Sequence, residues 1–329
     1  MKVLVLAPKS RYDAYRPDTP AARAAELIFC DREGTEAEWL AAAADADALF
    51  VTPVTPITAG LIARMPSLKL IHSEGVGFDR IDLDAAAARG IYVCNNAGCN
   101  AAAVAELSVT LMSMLLHRVL WGDRMVRQGR QAEAVRLIER DIPADLSVST
   151  VGLVGFGAIG QAVARRLRPY GSRVVYFAPH RRDPETEAEL GVRYLPLEEL
   201  AAQSDIVSLH LPANAASRHL VDGAFLARMK PGAFLVNTAR GAIVDDGAVC
   251  EALRSGRLGG MAADCYEPEP AGAEHPLVRL AQELPDKLIL CPHFGGIARS
   301  AFREAHRMLF EDLERVMAGQ RPERVVNGL

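Results

Sequence analysis

The chain has no surplus of positive charge: 37 Lys and Arg against 41 Asp and Glu leave a formal charge of −4 over 329 residues. Nothing in that balance drives nucleic-acid binding by counterion release. None of the six cysteines, Cys30, Cys94, Cys99, Cys250, Cys265 and Cys291, stands in C-x-x-C spacing, and no His pair sits at ligand spacing beside them. That leaves reduced, mostly buried thiols and no metal as the expectation. Long hydrophobic runs are missing too. The most apolar stretch, Ala101 to Leu120, is broken by Glu106, His117 and Arg118, whereas a membrane span needs about 20 mostly apolar residues. The opening MKVLVLAPKS carries one Lys and an apolar run that stops at Pro8, too short for a signal peptide and better read as a first strand. A cytoplasmic protein without membrane or nucleic-acid partners is therefore expected. There is no tandem repeat, low-complexity tract or charge block.

What is present is alternation. Half of the residues are hydrophobic and 24% are charged, as in ordinary globular proteins. At about 150 residues per domain the length suggests two domains. Short apolar runs at Val3–Ala7, Leu27–Cys30, Ala48–Thr52, Leu68–Ser73 and Tyr92–Cys94 read as buried strands. Helical segments such as Glu36–Asp45 and Leu83–Arg89 separate them. The pattern restarts after Ser149, with strands at Val151–Val154, Arg173–Phe177, Ile206–Leu209, Phe234–Asn237, Gly260–Ala263 and Leu288–Leu290. Helices are expected between them at Ile159–Leu167, Leu197–Gln203, Gly223–Arg228 and Asp246–Ser255. A polar helical stretch, about Arg118 to Arg140, lies between the halves, and an amphipathic helix covers Arg299 to Ala318. Strands alternating with helices predict an α/β fold of two doubly wound parallel-sheet, Rossmann-like units with a cleft between them.

The strongest local signal is VGLVGFGAIGQAVARRL at 151–167, in which Gly155, Gly157 and Gly160 form G-x-G-x-x-G between a strand and a helix. In that context the first glycine makes a tight turn, the second lets backbone approach a pyrophosphate, and the third lets helix pack on strand. Helix N–H groups and the helix dipole then favour the phosphates. The expected cofactor-binding turn comprises Gly155, Phe156, Gly157, Ala158, Ile159 and Gly160. The next strand ends in Ala178, where a carboxylate would exclude a 2′-phosphate, and Arg181 and Arg182 follow. With two guanidiniums and no acid, NADP is the preferred expectation over NAD.

Three more segments end strands, where open α/β sheets bind ligands. They are KPGAFLVNTARGAIVDD at 230–246, AADCYEPEP at 262–270 and LILCPHFGG at 288–296. They supply Arg240, Asp264 with Glu267 and Glu269, and His293. Together with EGVGFDRIDLDAAAARGIYVCN and N-A-A-A-V-A-E at 100–106, these motifs, in this order from Ile71 to Asn327, resemble the D-isomer-specific 2-hydroxyacid dehydrogenase family, which includes glyoxylate/hydroxypyruvate reductases.

The resemblance implies that Arg240 binds the substrate carboxylate and polarises the keto oxygen. It implies that His293 is the general acid/base and that Glu269 is its partner, with Glu267 the alternative. Val76 and Gly77 resemble the loop that holds the substrate carboxylate. Val104, His210, Thr238, Ala239, Asp264 and Gly295 complete the implied cofactor site, with Arg240 and His293 also facing it. A substrate-binding, flavodoxin-like domain of 1–100 plus 295–329, a dinucleotide-binding Rossmann domain of 101–294, and a homodimer built partly from 101–140 follow from the same resemblance. The implied reaction is hydride transfer between NAD(P)H and a small 2-keto or 2-hydroxy acid. Alternatives within the same architecture are oxidation of an anion such as phosphite, or dinucleotide sensing without turnover; the glutamate at 269 argues against formate. The chain departs from the resemblance in two places, with ADLSVSTVG before the glycine turn and IARSAF after PHFGG.

Overall fold

A computed structural model describes all residues, 1–329. The chain divides into two compact units, Met1–Asn100 with Ile297–Leu329, and Ala101–Gly296.

The first unit holds a five-stranded parallel sheet of β1 (Lys2–Leu6), β2 (Glu26–Phe29), β3 (Ala48–Val51), β4 (Leu70–Ser73) and β5 (Tyr92–Cys94), in the order β2-β1-β3-β4-β5. Its strands read as unbroken apolar runs because both faces are covered. Leu4, Leu6, Leu49 and Val51 pack on one side with Trp39, Leu61 and Ile62. Val3, Val5 and Phe50 pack on the other with Tyr12 and with Leu309, Phe310 and Leu313 of the C-terminal helix Arg299–Met317. That apolar stripe is what brings the chain's last helix back to the first unit.

The second unit is a seven-stranded parallel sheet. Its strands are β6 (Thr150–Val154), β7 (Arg173–Phe177), β8 (Val192–Tyr194), β9 (Ile206–Leu209), β10 (Ala233–Asn237), β11 (Leu258–Ala263) and β12 (Leu288–Leu290). The order β12-β11-β10-β9-β6-β7-β8 places β6 at the point where the winding reverses, the position at which doubly wound sheets bind ligands.

Six strands are expected here from the sequence and seven are found. The extra one, β8, is a three-residue edge strand in which only Val192 is buried, too short for a period-2 pattern. Short helices at Lys9–Tyr15, Pro20–Ala24, Ala59–Ala63, Pro184–Leu190 and Pro276–Glu283 were also not anticipated. The polar stretch at 118–140 is two helices, Val119–Arg127 and Gln131–Arg140, joined through Gly129 at φ 73°. No single helix is long and apolar enough to cross a membrane.

Candidate active site

The glycine turn follows β6. Gly155 has φ 96°, and a Cβ there would collide with the His210 carbonyl oxygen. Its N–H donates to the Phe177 carbonyl at 2.9 Å. The turn is thus wedged between the ends of β7 and β9, in a conformation that disfavours any side chain. A Cβ on Gly160 would strike the Gly155 carbonyl oxygen, so helix Ala158–Leu167 starts flush against the turn. Gly157 differs. It has φ −79°, and a Cβ there would meet nothing within 4 Å. No side chain caps the helix it begins, which leaves N–H donors open at the positive end of the helix dipole. An empty approach to an uncapped helix N-terminus is what a pyrophosphate requires, and the residues fit a dinucleotide. Phe156 contributes backbone only, because its ring is 1% exposed and stacks on Tyr176 at 4.0 Å. Ala158 is exposed and Ile159 half-buried at the helix start.

The region after β7 gives both arginines partners within the chain. Arg181 and Arg182 were expected to pair with a 2′-phosphate. Arg181 instead forms a two-pronged pair with Glu187, at 2.8 and 2.7 Å. Glu187 also accepts the Tyr176 hydroxyl at 2.7 Å. The Arg181 contact, more than any other, holds the Glu187 carboxyl below its ordinary range. The reason is local: the helix beginning at Pro184 turns Glu187 back toward residue 181. Arg182 donates to the carbonyl of Phe156, a residue of the glycine turn, at 3.0 Å. Ala178 is buried, and no carboxylate occupies the end of β7.

His210 packs its carbonyl under Gly155 and its Nε2 against Ser208 Oγ at 2.9 Å. Burial depresses its pKa to about 3, so the ring is neutral and no proton carrier at ordinary pH. Val104 is buried, and its carbonyl accepts the Ser108 hydroxyl, which also meets Thr238 Oγ1 at 2.9 Å. This bridge ties helix Ala101–Leu116 to the end of β10.

Three neighbouring strands, β10, β11 and β12, deliver the remaining residues through interlocked loops. After β10, the Asn237 side chain accepts the Ala239 N–H and donates to the Arg240 carbonyl, both at 3.0 Å. That closes a tight turn with buried Ala239 inside and the Arg240 side chain exposed. A Cβ on Gly241 would overlap the backbone of Tyr266 and Glu267, so the Arg240 turn lies flat against the acidic loop after β11. In that loop Asp264 is 2% exposed, and its carboxylate accepts the N–H groups of Phe294 at 3.0 Å and Gly295 at 2.8 Å. Burial pushes its carboxyl pKa up, and those two N–H bonds pull it back. Asp264 was expected at the cofactor; both of its oxygens are engaged in holding the loop that follows His293. Gly295 is buried against the same carboxylate. The Tyr266 hydroxyl reaches the Cys291 carbonyl at 2.7 Å, a second tie between the loops.

His293, at φ 55°, turns its Nδ1 to Glu269, with 2.8 Å to Oε2 and 3.0 Å to Oε1. The Tyr266 N–H fixes Oε1 of that carboxylate at 3.0 Å. Glu267 points elsewhere, 3.8 Å from Arg218. Both members of the His293–Glu269 pair remain partly open to solvent, at 45% and 35% of their side-chain surface, so reactants can reach them. The positioning residues Asn237, Ser108, Tyr266 and Glu187 were not singled out from the sequence. Asn237 alone carried a signal, as a turn-forming Asx residue at a strand end.

In the first unit, the Val76 carbonyl accepts from Asn95 Nδ2 and the Gly77 carbonyl from the Ser73 hydroxyl, both at 2.7 Å. The N–H groups of Val76 and Gly77 donate to no group of the chain. The loop is pinned by its acceptors and leaves its donors free.

Residues 109–295 match the model of the D-isomer specific 2-hydroxyacid dehydrogenase, NAD binding domain. The chain belongs to the D-isomer-specific 2-hydroxyacid dehydrogenase family. It is 37% identical over 293 residues to a glyoxylate reductase of Aeropyrum pernix, covering 88% of this chain and 85% of that one. It is 36% identical over 283 residues to a glyoxylate reductase of Korarchaeum cryptofilum, covering 86% and 83%. Among solved structures it is similar to D-mandelate dehydrogenase of Rhodotorula graminis, with a TM-score of 0.84, 29% identity, and coverage of 99% and 97%. As a member of this family the chain is a nicotinamide-dependent oxidoreductase acting on small 2-hydroxy or 2-keto acids, and the Gly155–Gly160 turn lies inside the matched dinucleotide-binding segment.

Proposed function

We propose that this dehydrogenase reduces a small, unbranched 2-keto acid of the glyoxylate or hydroxypyruvate kind, with His293 as the acid/base, Glu269 as its partner and Arg240 as the substrate clamp. The observation that carries this reading is the Glu269–His293 pair at 2.8 Å, in a loop bonded to Asp264 and next to the Arg240 turn. The naming of two relatives as glyoxylate reductases supports the substrate class.

With its Nδ1–H committed to Glu269, the imidazolium presents its Nε2–H outward as the proton to be given. The carboxylate fixes the orientation of the ring. Arg240 offers a planar fork of donors to the substrate carboxylate and draws charge onto the keto oxygen as it becomes an alkoxide. His293 then protonates that oxygen; in the reverse direction its neutral form takes the proton back. The bound nicotinamide supplies the hydride to the carbonyl carbon. The first unit is proposed as the substrate domain, with the free N–H groups of Val76 and Gly77 as its anion donors. Val104, Thr238 and Ala239 are proposed to line the cofactor.

The proposed cofactor preference is NADPH. Ala178 brings no negative charge to repel a 2′-phosphate, and Arg182 stands beside the glycine turn. The contact is assigned to Arg182, because Arg181 is neutralised by Glu187. A homodimer is proposed through helices Val119–Arg127 and Gln131–Arg140 and the segment after them, which expose Val126 at 55%, Val135 at 49% and Ile142 at 79%. Six free thiols suit a reducing cytoplasm.

The decisive experiment is a panel of 2-keto acids assayed with each nicotinamide cofactor. Oxidation of NADPH dependent on glyoxylate or hydroxypyruvate is expected. Turnover only with phosphite and oxidised cofactor, or none with any acid, would overturn the reading.

A further inference from the structure

Cys265 lies one residue past Asp264, and its role is not explained by proton transfer. Its thiol is 3% exposed and donates to the Ala239 carbonyl at 3.2 Å. A ligand atom from each of Cys265, Glu269 and His293 lies within 4.8 Å of the other two. A tetrahedral zinc ion with bonds of about 2.0–2.3 Å has ligand atoms about 3.3–3.8 Å apart, so modest side-chain adjustments close the ring. Thiolate, imidazole and carboxylate are also the donor types that zinc selects. Glu269 Oε1 is held by the Tyr266 N–H, which leaves Oε2 to be redirected from His293 to a cation. Solvent reaches Glu269 and His293, which gives the ion a path in and leaves the fourth position to water.

The local charge favours a cation. Asp264 and Glu269 both add negative charge near the thiol, and Arg240 only partly offsets it. Burial above all, and after it these carboxylates, raises the Cys265 thiol, and the same negative charge attracts a divalent ion, which deprotonates its own thiol ligand.

We propose that Cys265, Glu269 and His293 form an inhibitory site for a zinc-like divalent cation, which switches the enzyme off by capturing its acid/base pair. Binding releases the Cys265 S–H proton and the His293 Nδ1–H proton and changes no oxidation state. The metal-bound imidazole keeps its remaining proton on Nε2 as a neutral ring and cannot act as the acid. The inhibition, though not the binding, rests on the catalytic assignment of His293.

The test uses the intact chain, with Zn²⁺ added to the turnover assay and Co²⁺ as a spectroscopic probe of the resting protein. A thiolate-to-cobalt charge-transfer band, and Zn²⁺ inhibition reversed by a chelator, are expected. Mg²⁺, which prefers oxygen ligands, should not inhibit. Cys265→Ser retains a donor toward the Ala239 carbonyl but loses the soft ligand. It should abolish the band and weaken Zn²⁺ inhibition by at least about 10-fold relative to its own metal-free rate, since even outer partners of metal ligands are worth about 10–100-fold. Absence of the band, or equal Zn²⁺ sensitivity in Cys265→Ser, overturns the site. A cobalt band that depends on Cys265, with turnover untouched by Zn²⁺, supports the site and overturns the catalytic assignment of His293.

Discussion

Replacing Gly157 and Gly155 by alanine separates ligand binding from folding within one turn. A Cβ on Gly157 meets nothing within 4 Å, and the backbone sits at φ −79°, where alanine is at ease. Folding stability should change by less than about 1 kcal/mol, since such a change acts mainly through the unfolded chain. The same methyl, however, stands where the pyrophosphate must approach the helix. Losing one hydrogen bond to a charged group costs about 1.5–3 kcal/mol, or about 10- to 150-fold in Kd at about 1.4 kcal/mol per tenfold. Gly155→Ala behaves oppositely. Its φ of 96° and the collision with the His210 carbonyl combine strain of about 1–2 kcal/mol with a backbone clash. The resulting loss should exceed about 2 kcal/mol and lower Tm by several degrees. Calorimetry and a fluorescence titration with NADPH read the two effects on the same samples. Gly157→Ala protein that binds NADPH as tightly as the native chain, or that loses as much stability as Gly155→Ala, would refute the reasoning.

Arg182→Ala should weaken NADPH selectively over NADH in paired titrations, while Arg181→Ala should change that ratio less because its charge is spent on Glu187; the reverse order would return the phosphate contact to Arg181. The Glu187 carboxyl is held below its ordinary range by Arg181. The stability that this pair contributes is therefore present above the unfolded carboxylate pKa and lost as pH falls through the lower folded value. Glu187→Gln should flatten that acid loss in denaturation midpoints followed from about pH 7 down to about pH 3, and an unchanged profile counts against the pair. Glu269→Gln should cut kcat far more than it changes cofactor Kd, whereas Glu267→Gln should leave kcat within a few-fold; equal effects would mean that the wrong carboxylate is paired with His293.

Much of this molecule is legible in its sequence. The strands were visible because parallel strands buried on both faces read as unbroken apolar runs, as in Val3–Leu6 and Val151–Val154. The site motifs are visible because they sit at strand ends beside tight backbone requirements, such as the space-limited glycines at 155 and 241. Other features depend on through-space contacts. The resemblance favours Glu269 over Glu267 by position only, and the contacts that separate them, the Tyr266 N–H and His293 on Glu269 and Arg218 near Glu267, are through space. Arg181 looked free because its partner Glu187 comes into range only after the chain turns at Pro184. The hydrogen bonds by which Asp264 accepts the N–H groups of Phe294 and Gly295 join two loops 30 residues apart and leave no mark on the sequence. The edge strand β8 and the helices of five to eight residues carry too few residues for a periodicity to emerge.

The central claim, that the Glu269-held imidazole of His293 moves the substrate proton, is tested most directly by single-turnover oxidation of enzyme-bound NADPH by glyoxylate in the native chain and in His293→Ala. A fall of about 10²–10⁴-fold in the chemical step, with NADPH affinity unchanged, is expected for a lost general acid. Equal single-turnover rates would contradict the account.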